Sequence, residues 1–530
     1  METPNIPIFP KYTNPAGDEY PIIANNNYMF PHKENPSTLE EVTKNKIIEV
    51  LHDIKECGFN AAIWIPEGIQ VKYWEDLISY YYQVAADQGV RTILNLGNSV
   101  PRVMQKGGST DGITFGNLSE NGKIKSPTLK LYAEILNRNK DDYNLWGYKL
   151  KDEPSFEAWS HLVAPRETGK PEPEDIFAAY CTYLQNANGH VGHFNLAVST
   201  GADWIGETLA NEKDNAGKPL SGKLKYKKYL QAFKAKFEPS MLSVDLYPVV
   251  AQPPKTTTFF IKNFYYYFME AIGEFSTETG MPFWMYILSN QHQIYKKNED
   301  LADAMQIAAI YPSVTEGLLR HQAMTTLAYG FQGIVFWTYG VPRTSDSNPE
   351  VYCRFGAPLD VAGNRTLVWY MCQSVITEIK EFAKLLLHAK FQSARHVYST
   401  SGSSVKFTET TEFIPKNDSD SNSGFECVTN AVAYGRGFVI THLTKGAEHY
   451  LAIVSHEYEE KQKIDVWISD AYDLIIKEYQ FEYEKATDLL YKSKSFHSEP
   501  KSGTDPTSDM PTISKTLEPG EMILIKYTKR

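Results

Sequence analysis

The stretch Asn144-Leu145-Trp146-Gly147-Tyr148-Lys149-Leu150-Lys151-Asp152-Glu153-Pro154 decides how the chain is read. Leu145 to Leu150 has the make-up of a short buried strand, apolar and aromatic, with a Gly where backbone or ligand can approach closely. Two adjacent carboxylates follow, and Pro154, which has no N–H to donate, ends the pairing. Acids where a core strand meets a loop are costly if buried without a partner, yet well placed for chemistry on a rigid scaffold. The plainer reading of the same residues is a helix-capping Asp beside a solvated Glu.

Outward from this strand, strand-like and helix-like segments alternate from residue 21 to about 389. Strands are expected over 21–24, 59–65, 90–96, 145–150, 194–198, 241–246, 282–288 and 333–337. Helices are expected over 38–57, 71–88, 127–139, within 171–188, and over 226–237, 257–279, 312–329 and 366–387. Eight strand–helix units, apolar on both strand faces and polar after nearly every strand, predict an α/β fold closed as a (β/α)8 TIM barrel. A doubly wound open sheet is the alternative. After residue 390 the pattern changes to short alternating runs separated by turns such as Lys445-Gly446 and Pro519-Gly520. That pattern predicts an antiparallel β-sandwich. The expected organisation is an N-terminal extension over 1–20, the barrel over 21–389 and the sandwich over 390–530.

Composition excludes several functions. A net charge of −11, with no long Lys/Arg run, argues against nucleic acid and anionic membranes as partners. No stretch is apolar for long enough to span a bilayer, so no membrane insertion is expected. The segment 1–20 is polar and Pro-rich and has no signal-peptide core. The protein is expected in the periplasm or at the cell surface if an export signal has been removed, and in the cytoplasm otherwise. Five cysteines at wide spacings form no C-x-x-C pair, so no metal and no cofactor is expected. His190 and His193, before the fifth strand, read as structural. The sequence gives no reading of oligomeric state.

In an eight-stranded barrel all strands end on one face, so residues far apart in sequence converge there. The strand tips offer Trp64 and Glu67, Asn95, Asp152 and Glu153, Asp245 and Tyr247, Asn290, Gln291 and His292, and Trp337 and Tyr339. Such a set suits a sugar. Amides and acids hydrogen-bond hydroxyls, aromatic rings stack on pyranose C–H groups, and paired carboxylates can break an acetal.

Three pieces carry a family likeness: Gly147 through Pro154; Gly317 through Trp337, with its ending Ala328-Tyr329-Gly330-Phe331-Gln332-Gly333-Ile334-Val335-Phe336-Trp337; and Leu517-Glu518-Pro519-Gly520-Glu521. On these the chain resembles the (β/α)8 glycoside hydrolases related to clan A, in particular bacterial ones with a trailing β-sandwich. With the domain order, the likeness spans nearly the whole chain. It implies cleavage of a plant or host oligo- or polysaccharide, with Glu153 protonating the leaving oxygen. The chain departs from the family at two places. Asp152 stands where Asn is usual, and the seventh strand ends in Asn290 and Gln291 instead of a nucleophilic Glu. Asp245, or Glu316 at the start of a helix, would then supply the second carboxylate. A carboxyl separation of about 5 Å implies retention and one of roughly 6.5–9.5 Å inversion. The missing Glu also motivates a different class of function, a carbohydrate-binding barrel without hydrolysis.

Overall fold

The computed structural model describes residues 19–26, 36–64, 74–95, 119–120, 123–124, 145–152, 191–237, 239, 241–253, 255–297, 305–340, 352–360, 362–399, 406–415, 425–486, 489–504 and 509–530. The chain divides into two compact units. The first comprises Met1–Leu246, Met281–Ile307 and Gly333–Trp369; the second comprises Tyr247–Gly280, Ala308–Gln332 and Tyr370–Arg530.

The first unit contains eight parallel strands closed into a barrel. They are β1 (Ile22–Asn26), β2 (Ala61–Trp64), β3 (Arg91–Asn95), β4 (Leu145–Asp152), β5 (Val191–Ala197), β6 (Met241–Asp245), β7 (Phe283–Leu288) and β8 (Ile334–Trp337). Each strand pairs with the next in sequence, and β8 pairs with β1 to complete the ring. The near-continuous apolar content of β2, β6, β7 and β8 matches strands buried on both faces. Asn60 fixes the entry of β1: its side-chain oxygen accepts from Ile22 N at 2.8 Å and its amide donates to Tyr20 O at 2.8 Å. Among the described residues three long helices lie wholly in this unit: α1 (Pro36–Cys57), α2 (Trp74–Asp87) and α3 (Gly222–Phe237). The helices expected over 127–139 and 171–188 lie outside the described residues.

The second unit holds α4 (Tyr265–Thr279), α5 (Glu316–Ala328), α6 (Leu367–Leu386) from Tyr370 onwards, and the C-terminal strands. Those strands are β9 (Lys390–Val397), β10 (Val428–Ala433), β11 (Phe438–Lys445), β12 (Glu448–Ser455), β13 (Gln462–Ile468), β14 (Tyr472–Ala486), β15 (Leu489–Ser502), β16 (Ile513–Leu517) and β17 (Met522–Lys529). They form a six-stranded antiparallel sheet, in the order β9-β11-β12-β17-β14-β15, and a three-stranded sheet, β10-β13-β16. Phe438, Ile440, Leu451, Ile453, Ile523 and Ile525 of the larger sheet share one core with Val428, Ile464, Val466, Ile468 and Leu517 of the smaller. This is the expected sandwich.

The larger sheet is buried on its other face too, against α4 and α5. Tyr329 stacks on Phe391 at 5.1 Å, Thr277 donates to Phe391 O at 2.7 Å, and His321 Nδ1 lies 3.0 Å from Ser455 O. Two of the three pieces behind the family likeness meet here. A Cβ on Gly317 would lie 2.4 Å from Tyr458 O and 2.5 Å from Pro519 Cβ, and one on Gly520 2.3 Å from His321 N. Only glycine permits so close an approach of backbone to helix. Arg320, 1% exposed, seals the joint: it donates to Glu378 Oε2 at 2.8 Å, to Oε1 at 3.0 Å and to Pro519 O at 3.0 Å. These pieces therefore dock helices on the sheet.

The expected helix over 257–279 is corrected. Thr256–Ile261 is a strand, paired antiparallel with Val249–Gln252, and α4 starts only at Tyr265. Thr256, Thr257, Thr258, Phe259, Phe260 and Ile261 are β-branched or aromatic and favour a pleated surface. Further strands that the sequence did not suggest are Gln291–Lys297, paired with Tyr352–Phe355, and Met305–Ile310.

Candidate functional site

The barrel strands end on one rim, and β4 to β6 place polar groups there. Backbone register aligns Asp152 with Asn195, Asn195 with Ser243, and Ala197 with Asp245. Register then continues from Asp245 to Tyr286 of β7. Asn195 and Ser243 are buried, so their polar atoms need partners. Ser243 Oγ lies 3.1 Å from Asn195 Oδ1 and 3.3 Å from Phe194 O. Asn195 Nδ2 donates to Asp245 Oδ1 at 3.4 Å. Asp245, half-buried at the strand tip, is thus tied to the amide of the neighbouring strand. Tyr226 of α3 donates to Ala197 O at 3.3 Å. Burial, then the neighbouring Tyr229 and the charge of Asp245, push its phenol well above the ordinary range, so it stays neutral.

Lys149 is a buried cation within β4, 2% exposed, with its ammonium 4.9 Å from the centre of the Tyr286 ring. A desolvated ammonium over an aromatic face is stabilised by the ring quadrupole. Lys149, Asn195 and Ser243 are functional candidates that sequence reasoning misses. The available signal was a polar side chain inside an otherwise apolar strand.

At the β7–β8 side, Asn290 is fully buried. Its amide donates to Thr338 Oγ1 at 3.0 Å, and Thr338 Oγ1 donates to Gly340 O at 2.9 Å. Ser289 N donates to Trp337 O at 2.8 Å. His292, buried, meets Trp337 edge-to-face at 5.2 Å, and Trp337 itself is half-buried at the end of β8. Gln291 is half-buried and opens the strand paired with Tyr352–Phe355. The structure thus gathers Asn290, His292 and Trp337 at one edge of the rim and Asp245 with Asn195 at another.

Other expected residues sit elsewhere. Trp64 is fully buried and stacks on Tyr81 of α2 at 4.4 Å with 7° between the planes. Its ring is packing between strand and helix. Tyr339 is also fully buried. Its hydroxyl donates to Asp53 of α1 and accepts from Trp369 Nε1 at 3.0 Å, while Arg365 pairs with Asp53 and Glu56. Tyr339 is therefore part of a clasp on α1. In the second unit, Tyr247 is buried edge-on to Tyr311 at 5.7 Å. There too Glu316 opens α5 behind the N-cap Thr315, and its carboxylate pairs with Arg320 and accepts from Ser374 at 3.3 Å. Glu67 and Glu153 lie outside the described residues. Asn95 and Asp152 end β3 and β4, and their side chains lie outside them as well.

Among the described residues no group of three or more His, Cys, Asp or Glu could hold a metal ion. Among the described residues Cys57, Cys372 and Cys427 are buried thiols in no disulfide. No described helix is long and apolar enough to cross a membrane.

No family model and no curated protein matches the chain. Solved structures do. A GH5_18 protein from Streptomyces cattleya, in complex with GlcNAc, is similar at 10% identity and a TM-score of 0.36, over 68% of this chain and 80% of that one. Xylanase 10B from Thermotoga petrophila RKU-1, in complex with xylobiose, is similar at 12% identity and a TM-score of 0.36, over 68% of this chain and 94% of that one. A family 1 b-glucosidase from Thermotoga maritima is similar at 12% identity and a TM-score of 0.35, over 63% of this chain and 86% of that one. At scores this low the fold is read from the strand order of the barrel itself, and the chemistry from its residues.

Proposed function

We propose that the barrel unit is a glycoside hydrolase acting on an oligo- or polysaccharide, with Glu153 as the acid and Asp245 as the second carboxylate. One observation carries this reading. Asp152, the residue before Glu153, is aligned with Asn195, and Asn195 is hydrogen-bonded to Asp245 on the next strand. Carboxylate-bearing strand ends thus stand two strands apart on one barrel rim. Two inter-strand spacings give a Cα separation on the order of 10 Å, a span that side chains can narrow to the range used in acetal cleavage. Half-buried Trp337 beside His292 supplies an aromatic face of the kind sugars stack on. Glu316, paired with Arg320, is left out of the proposed set.

A second reading, a sugar-binding barrel without hydrolysis, is favoured by the amide of Asn290 at the tip of β7. An amide cannot form a glycosyl ester as a carboxylate does. The test is a glycan panel scored for both binding and turnover, with Glu153→Gln alongside the native protein. The expected result is turnover by the native chain and a loss of kcat/KM of about 100-fold or more in the variant. Undiminished turnover in Glu153→Gln ends the assignment, and binding without cleavage by the native chain establishes the second reading.

A further inference from the structure

The outer face of the smaller C-terminal sheet carries two aromatic side chains that the sandwich core does not use. Ile464, Val466 and Ile468 of β13 are core residues, so Lys463, Asp465 and Trp467 alternate onto the opposite face. Ala431 and Ala433 of β10 are core residues too, which turns Val432 and Tyr434 outward. On β16, Ile513 and Leu517 do the same for Ser514 and Thr516. Register sets Asp465 between Val432 and Ser514, and Trp467 beside Asn430. Tyr434 N donates to Lys463 O at 3.0 Å, so these two stand side by side.

Tyr434 is 56% exposed and yet held in place. Its hydroxyl donates to Asp465 Oδ2 at 2.7 Å, and Lys463 Nζ stands 5.1 Å from the centre of its ring. A ring anchored in this way gives up little freedom when something packs on it. Trp467, half-buried, lies four residues along β13 from Lys463. At the rise of a strand, that sets the two aromatic positions on the order of 13 Å apart along the sheet.

We infer that this face is a binding platform for a neutral polysaccharide, whose sugar rings stack on Tyr434 and Trp467. Charge and polarity select the occupant. Lys463 and Asp465 lie 3.7 Å apart and offset each other, so they offer nothing to an anionic chain. A nucleic acid strand also stacks on aromatic rings, but it needs a basic groove to track its phosphates. A protein partner needs a contiguous apolar centre, and between the two rings the face is polar apart from Val432. A neutral polysaccharide matches what is there. Its C–H faces suit the rings, and its hydroxyls suit Asn430, Ser514 and Thr516. The distance between the rings favours a chain over a single sugar. The platform belongs to the second unit and needs no catalysis by the barrel.

The experiment is affinity electrophoresis of the full chain in gels cast with xylan, galactomannan, mixed-linkage β-glucan or starch, with polygalacturonate as the anionic control. The native chain should be retarded by at least one neutral polymer and run freely in polygalacturonate. Tyr434→Ala and Trp467→Ala should each weaken the interaction about tenfold, and the double variant should abolish it. Tyr434→Phe keeps the ring and loses only its anchor, so it should stay within a few-fold of native. Thermal melting checks that each variant is folded, and if Trp467→Ala melts early, Tyr434→Ala at its exposed position carries the test alone. Native retardation in the double variant, retardation by none of the neutral polymers, or retardation by polygalacturonate alone overturns the platform. A dimer in size exclusion that Tyr434→Ala breaks also overturns it, because a second copy is then the occupant. Glycan cleavage without ring-dependent retardation sinks the platform and leaves the hydrolase. Ring-dependent retardation without cleavage establishes the platform and removes the hydrolase.

Discussion

Replacing Glu378 by Gln should destabilise the second unit by about 3 kcal/mol, the lower end of the range for a buried ion pair that loses one member. Glu378 and Arg320 are 1% exposed each, and the pair is bidentate, with bonds of 2.8 and 3.0 Å. Lys494 Nζ adds a third bond to the same carboxylate at 2.7 Å. Burial raises the pKa of Glu378, but Arg320 and Lys494 outweigh it and hold the group below the usual carboxylate range. In Glu378→Gln both cations lose that charge, and Arg320 keeps Glu316, a more exposed carboxylate, and the carbonyl of Pro519. For a unit of this size 3 kcal/mol corresponds to about 6–12 °C in Tm. Calorimetry of the full chain would read the shift, with urea unfolding as a second measure. The double variant Arg320→Met/Glu378→Leu should lose less than the single one, because apolar side chains carry no desolvation cost. A Glu378→Gln variant melting within about 2 °C of the native chain, or a double variant less stable than the single, would refute the reasoning.

Two more outcomes follow from the same unit. Burial pushes His321 down to about 4 and His456 well below its ordinary value, whereas burial pushes Glu521 up to about 7. The two histidines are depressed on folding, so their contribution is intact above about pH 6.5 and lost as pH falls toward 4, about 3 kcal/mol for His321 alone. Glu521 has the opposite sign: its contribution is intact below its unfolded value and lost as pH rises through about 7. Melting temperature against pH should therefore peak near neutrality, and His321→Gln should flatten the acid side. Gly317→Ala should cost about 2–3 kcal/mol in chemical denaturation, because its new methyl meets the backbone oxygen of Tyr458 at 2.4 Å; a loss under about 0.5 kcal/mol would contradict the docking described.

Much of the barrel was legible because strand, breaker and helix alternate with regular signals. All eight barrel strands fall where the apolar runs lie, with ends displaced by a few residues. The misread helix over 257–279 has a local cause: Thr256–Ile261 and α4 are both rich in aromatics, with no Gly or Pro between them to mark the turn at Lys262 and Asn263. The site was legible only in part. Asp245, Asn290, His292 and Trp337 were singled out from strand ends, but Trp64 and Tyr339 lie on the packing side, a distinction that register decides and composition does not. Asn195 and Ser243 were hidden because each matters through a neighbour on an adjacent strand. The pieces around Gly317 and Gly520 look like a family motif in sequence, yet in the structure they serve a helix–sheet joint. Recurring residues can report packing as readily as chemistry.

The interleaving of the two units along the chain has a consequence for synthesis. The polypeptide passes between units after Leu246, Gly280, Ile307, Gln332 and Trp369. The apolar flank of α4, including Tyr265, Tyr266, Phe268, Met269, Ile272 and Phe275, is made before the strands that cover it. Its covering sheet is finished only when β17 emerges as the last element. On the ribosome that flank stays uncovered at least until β9 emerges, a period when holdase chaperones can bind it. A cut at any of these five passages would separate elements of one unit onto two fragments.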